Sequence, residues 1–421
     1  LENVAKMANL DADLKNRILG EAYFLRAWAY FQLVQLYGGV PLRTQSLSVS
    51  SPETNIPRAT VKETYEVIIK DFKAAEEKLF PLGSPKAGEV GRVNQGLAKA
   101  FLAKVYLTMA SGSLTGKISV RGGNDNGYYS YDKIVVSGLE GLNSIQYFTL
   151  ARDKAAEVIA SKTYTLTPSW KDLWSIAGRN SKEHMWQLQS LAGTAFVNNL
   201  GNYFSARSSF GQGAVWTTNN HYDDYEIEDK RVLDGITHNY TTLQGTNIFY
   251  PFSQSAIYKV VNGITYNNTN TTTSQRAYTI KFSGISDPTV ANSDAFYPLM
   301  RYSEVLLIHA EAENEINGGS IAAYESLALV RNRVNAAVAT AGMTKEQFRS
   351  FILAERAREF NLEGIRRFDL MRWGVYLQVM NKITAGQNNI SKVRSLKNLL
   401  LPLPLNELNS NKAINGNNPG W

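Results

Sequence analysis

Apolar positions recur with a 3.6-residue period at both ends of the chain and lose that period in the middle. The first predicted helix runs from about Asp13 to Tyr37, with Ile18, Leu19, Ala22, Leu25, Ala29, Leu33 and Leu36 as its apolar stripe. Gly38-Gly39, with Pro41 just beyond, is the expected stop. The second starts at Thr60, with Glu63 three residues on as a capping box, and runs to Leu79 before Pro81. The third covers about Asn94 to Ala110 and the fourth about Thr149 to Ser161. Four more come late. Arg301 to Asn317 ends at Gly318-Gly319, Ser320 to Ala337 follows at once, and Thr344, with Gln347 three on, opens a helix to about Leu362. Gly364 breaks that helix, and Ile365 to Met380 is the eighth. Turns as short as Gly318-Gly319 force neighbours antiparallel, so eight helices make four hairpins.

The middle, Lys162 to Pro298, is rich in Tyr, Asn, Thr, Ser and Gly. Short alternating pieces, HMWQLQ from His184 and YTIKF from Tyr278, predict strands. Tyr266 to Gln275 predicts an exposed loop, and Ser111 to Gln146 a second long loop between helices three and four. The fold expected is mostly α: four tetratricopeptide-like helix pairs form a scaffold over 13–161 and 301–380. A loop-rich, partly β insertion fills 162–300 and an extended tail covers 381–421, all within a single domain of 1–421.

Composition narrows the chemistry. A chain of 421 residues, 44% apolar and 19% charged, buries a core without disulfides or metal. Its net charge of +7 is spread out rather than gathered in a basic run, which argues against a nucleic-acid partner. Cysteine is absent, which removes thiol nucleophiles and thiolate metal sites. His184, His221, His238 and His309 lie far apart without zinc-ligand spacing. No apolar run approaches the ~18–20 residues that span a bilayer. Phosphate-loop, dinucleotide, nucleophile-elbow and H-E-x-x-H patterns are missing. These absences concern linear motifs only: no catalytic residue, metal or cofactor is singled out, and a glycosidase pair of carboxylates distant in sequence stays open. The chain opens on Leu1 without a signal-peptide pattern and reads as a fragment or processed form.

Two carboxylate clusters remain. Glu355 and Glu359 share a helix face, with Arg356, Arg358, Glu363, Arg366, Arg367, Asp369 and Arg372 nearby. Alternating signs at helical spacing usually pair, so the cluster reads as an ion-pair lattice locking the last two helices at Gly364, with Arg358 and Arg366 reaching the glutamates. Glu304, Glu311, Glu313 and Glu315 read as paired structural groups, and His309 as a packed or solvent-edge residue. The aromatics are more informative. Tyr128, Tyr129, Tyr203, Phe204, Trp216, Tyr222 and Tyr250 lie in the irregular stretches, where long loops concentrate binding residues. Ring faces can stack on sugar C–H faces while Asn, Asp and Arg bond the hydroxyls, so these seven are the candidate ligand residues.

Four stretches resemble the SusD/RagB family, the surface nutrient-binding lipoproteins of Bacteroidetes. They are RILGEAYFLRAWAYFQLVQLYGGVPL over 17–42, RYSEVLLIHAEA over 301–312 with VRNRVN over 330–335, ILAERAREFNLEGIRRFDLMRW over 352–373, and LLPLPLNELNSN over 400–411 with the terminal Asn418-Pro419-Gly420-Trp421. The resemblance implies a non-enzymatic glycan-binding protein on the extracellular face of the outer membrane. It implies a lipid anchor not contained in this sequence, and oligosaccharide delivery to a SusC-like TonB-dependent transporter. It carries no ligand residues over, since these motifs are scaffold motifs. A helical-repeat protein binding peptide or protein ligands for uptake is the alternative, and a glycosidase is a third reading.

Overall fold

The computed structural model describes residues 1–46, 55–122, 127–206, 211–245, 247–250, 260–261, 264–265, 276–383 and 393–421. The loop expected over Tyr266 to Gln275 lies outside them. The protein is mostly helical with small two-stranded sheets. It divides into two compact units: Leu1–Asn124, Tyr129–Ser161 and Arg367–Trp421 form the first, Asp125–Tyr128 and Lys162–Arg366 the second. This division places the middle insertion with the helices that follow it.

In the first unit, α1 (Ala12–Tyr37) is capped by the Asp11 carboxylate, which accepts from the Leu14 N–H. It ends where Gly38 turns to φ 75°, a left-handed conformation that favours glycine. The Thr60–Glu63 capping box opens α2 (Val61–Lys78). Asn94 caps α3 (Gln95–Ser113), and Asn143 caps α4 (Ser144–Ala160). α1 packs on α2, α2 on α3 and α3 on α4. One aromatic from each of the first three helices meets at the centre: Phe24, Phe72 and Phe101 lie 5.3–5.6 Å apart, all essentially inaccessible to water. Each such ring contributes roughly 1.5–3 kcal/mol on burial.

The stretch expected as a loop over Ser111 to Gln146 contains a hairpin, β1 (Lys117–Gly122) with β2 (Gly127–Asp132). The alternation Tyr129, Ser130, Tyr131 is the period-2 signal that marks it. α4 also begins at Ser144, five residues before its expected start, because the Asn143 side chain caps the Gln146 N–H.

The second unit carries β3 (His184–Leu188), paired antiparallel with β4 (Tyr297–Arg301), then α5 (Tyr302–Asn317), α6 (Ile321–Arg333) and α7 (Lys345–Glu359). Both predicted strand pieces form: YTIKF contributes Tyr278–Thr279, paired with Ile236–Thr237. α5 packs against α6 and α7. α7 stops short of its expected end, and Leu362 sits at φ 64°.

The eighth expected helix is two pieces, α8 (Arg366–Arg372) and α9 (Tyr376–Lys382). Gly374 between them has φ 66°, its carbonyl accepts from the Ile134 N–H at 3.3 Å, and a Cβ there would collide with the Ile134 carbonyl oxygen. Apolar periodicity runs through this break and so conceals it. The region expected as an extended tail carries a helix over Leu405–Ser410.

Candidate functional site

The seven candidate aromatics fall into three settings. Tyr203 and Phe204 end a short helix, Leu200–Phe204. Consecutive residues point apart: Phe204 packs on Phe282 at 4.4 Å, whereas Tyr203 is 40% exposed. The segment after 210 returns onto this helix. The Ala214 and Val215 N–H groups donate to the Tyr203 carbonyl at 3.0 and 3.2 Å, and the Gly213 N–H donates to Ser205. The next residue, Trp216, is half-buried with the Arg276 guanidinium over its ring, 3.6 Å from the centroid. An antiparallel bridge fixes this pair: the Thr217 N–H donates to the Ala277 carbonyl at 2.9 Å, and the Asn361 amide donates to the Thr217 hydroxyl at 2.6 Å. Backbone hydrogen bonds thus hold the segment leading into Trp216 against the helix that ends in Tyr203.

Tyr128 and Tyr129 belong to β2. Tyr128 is 55% exposed. Tyr129 faces the other way with Tyr131, and the Lys382 ammonium lies 4.3 Å from its ring centroid.

Tyr222 and Tyr250 are corrected. Both rings are fully buried and meet edge-to-face at 4.7 Å, in a cluster with Tyr225, Val232, Ile236 and Ala277. The Tyr250 hydroxyl donates to Asn219 Oδ1 at 2.8 Å. A stacking platform needs an open ring face, so these two tyrosines are core. Their Tyr/Asp-rich surroundings resemble a loop in sequence, and only the fold closes over them. Two groups were invisible as candidates. Phe196 is 75% exposed, held by a turn in which the Leu191 N–H donates to its carbonyl at 2.7 Å. Arg276 is 60 residues from the indole it covers, and no local pattern links them.

The carboxylate cluster on α7 is an ion-pair lattice that includes the expected Arg358 and draws its other arginines from remote segments. Glu355 accepts from Arg231 at 2.6 Å, Arg331 at 2.5 Å and Arg358 at 2.8 Å. Glu359 accepts from Arg301 at 2.8 Å, Arg333 at 2.6 Å and Arg231 at 3.2 Å. Arg366 donates to the Leu353 carbonyl. The lattice therefore ties α7 to α6, to the end of β4 and to the short helix Lys230–Leu233. Burial alone would raise both carboxyl groups; the surrounding guanidinium groups outweigh it and hold both well below the usual range. A general acid needs the opposite shift. In the second cluster Glu304 accepts from Arg356 at 3.1 Å, and Glu315 accepts both fork nitrogens of Arg349. His309 Nδ1 lies 2.9 Å from the Ser326 hydroxyl. Among the described residues no group of three or more His, Asp or Glu side chains could hold a metal ion.

Comparison with known proteins adds the family. The SusD family model matches residues 149–421. The chain belongs to the SusD family. Residues 1–107 of this SusD-family chain match a second model, described as starch-binding associating with outer membrane. SusD-like protein P2 of Formosa agariphila is 26% identical over 99% of this chain and 76% of its own length. A SusD superfamily protein from Parabacteroides distasonis has the same fold, with TM-score 0.75 and 24% identity over all of this chain and 82% of that one. So does surface glycan-binding protein A from Bacteroides uniformis, with TM-score 0.72 and 21% identity over 99% of this chain and 81% of that one. No helix among the described residues is long and apolar enough to cross a membrane.

Proposed function

We propose that this SusD-family protein is a non-enzymatic glycan-binding protein of the outer membrane's extracellular face. It is held there by a lipid anchor, captures oligosaccharide and passes it to a SusC-like TonB-dependent transporter. Carbohydrate binding is supported by the family descriptions and by the glycan-binding protein of Bacteroides uniformis among the structures that share the fold. The single observation that carries the reading in this chain is the exposed Tyr203 ring, on a helix to which backbone hydrogen bonds tie the segment leading into Trp216. Rigid rings lose little entropy when a sugar stacks on them. Every member of the α7 carboxylate pair is occupied by guanidinium groups, which favours passive binding over bond cleavage.

Calorimetric titration against a panel of oligosaccharides, with peptides as a second panel, tests the reading. Tyr203→Ala weakens glycan binding by about 1 kcal/mol, roughly fivefold, if its ring stacks on sugar. Purification of the tagged protein from outer membranes recovers the transporter. Flat glycan titrations with a folded protein, or tight binding to peptides alone, overturn the proposal.

A further inference from the structure

Arginines in the second unit are almost all matched to acids. Arg179, Arg231, Arg301, Arg331, Arg333 and Arg349 each reach a carboxylate within 3 Å. Arg276 reaches none among the described residues. Its backbone N–H donates to the Tyr240 hydroxyl at 3.1 Å, and its guanidinium lies over Trp216 at 3.6 Å. This contact changes what the surface can bind. A sugar cannot stack on an indole face that a cation already covers. The guanidinium, held by cation–π attraction, keeps its N–H edge for another partner. That edge is a planar fork whose best acceptors are carboxylate and sulfate oxygens. The segment leading into Trp216 is hydrogen-bonded to the Tyr203 backbone, and the exposed Tyr203 ring offers the stacking face that Trp216 does not.

We propose that the Tyr203–Trp216 surface selects acidic glycans, with Arg276 contacting a carboxylate or sulfate ester on a sugar that stacks on Tyr203. The inference rests on the glycan-binding reading above and names the class of glycan. Both acidic groups present the same anionic oxygens to the fork, so the experiment separates them.

The test is calorimetry with three oligosaccharide pools of matched length: neutral glucan, oligogalacturonide and sulfated galactan. Wild type is compared with Arg276→Gln and Arg276→Lys, whose melting temperatures report that they remain folded, at low and at moderate salt. The wild type binds one acidic pool about tenfold or more tighter than the neutral pool, as expected for a charge-assisted contact. Added salt lowers that affinity. Arg276→Gln abolishes the preference, and Arg276→Lys keeps the charge but recovers only part of it, since it loses the fork. The tighter of the two acidic pools identifies carboxylate or sulfate as the ligand group. Equal or tighter binding of the neutral glucan overturns the acidic preference and leaves glycan binding standing. A preference that survives Arg276→Gln overturns the role of Arg276. No binding to any pool overturns both readings.

Discussion

The two units bury opposite kinds of chemistry. The first is held by aromatic and aliphatic packing across helices, with Phe24, Phe72 and Phe101 at its centre. The second buries a lattice of charge, in which Glu355 and Glu359 are encircled by arginines from α6, β4 and a short helix. Apolar packing is non-directional and tolerates exchange of similar shapes. A buried ion lattice adds little net stability over apolar packing, but removing one member strands a charge in a low dielectric. The lattice therefore fixes which segments meet α7, and so anchors the irregular region that carries Tyr203 and Trp216.

The largest effect expected is at the lattice. Glu359→Met leaves Arg301 and Arg333 short of an acceptor and costs about 3–5 kcal/mol, despite similar side-chain size. Phe72→Leu in the first unit, also a near-conservative change, costs about 1–2 kcal/mol. Chemical denaturation, with hydrogen exchange to place the loss, measures both; equal costs would erase the contrast.

Acid should reach the second unit through its buried groups. His184 is buried against Trp174 and Phe296 with Nε2 3.0 Å from the Leu173 carbonyl. Burial lowers its pKa to about 4, with the Leu173 hydrogen bond, Glu183 and Glu363 opposing and Arg301 reinforcing the shift. Between pH 6.5 and 4 the unfolded chain therefore takes up a proton that the folded one refuses. Stability falls through that window by about 3 kcal/mol in total. Below about pH 4.5 the depressed carboxyls Glu355 and Glu359 add to the loss, since their stabilisation is present above the ordinary carboxylate pKa and vanishes as pH falls. Exchange protection of second-unit amides at pH 7, 5.5 and 4.5 reads this directly. His184→Gln, which keeps a donor for Leu173, flattens the upper part of the profile.

The smallest effect is one the units share. Thr60 and Thr344 each close a capping box, one in each unit, and replacing either by Ala costs about 1 kcal/mol. Unequal losses in thermal melts would show that a unit's context, rather than the cap itself, sets the value.

Sequence patterning carried much of this architecture and little of the site. Helix starts were legible because Thr60, Asn94 and Thr344 cap locally, and the stop at Gly38 because a left-handed residue follows an apolar stripe. The split at Gly374 was hidden, because it depends on the backbone at Ile134, which is remote in sequence. Charge alternation on α7 announced pairing, but partner choice depends on where β4 and α6 deliver Arg301, Arg331 and Arg333. Among the aromatics, composition marks a tyrosine-rich region without saying which ring faces water. Tyr203 and Tyr222 look alike in sequence, yet one is open and the other sealed.

On the proposed function, this protein holds carbohydrate on the exposed Tyr203 ring without altering it. Calorimetric titration of the binding glycan, followed by chromatography of the recovered sugar, distinguishes holding from cleavage. The expected result is saturable binding that Tyr203→Ala weakens, with the glycan returned at its original length. Shortened oligosaccharides in the recovered material, or binding indifferent to Tyr203, would overturn the reading.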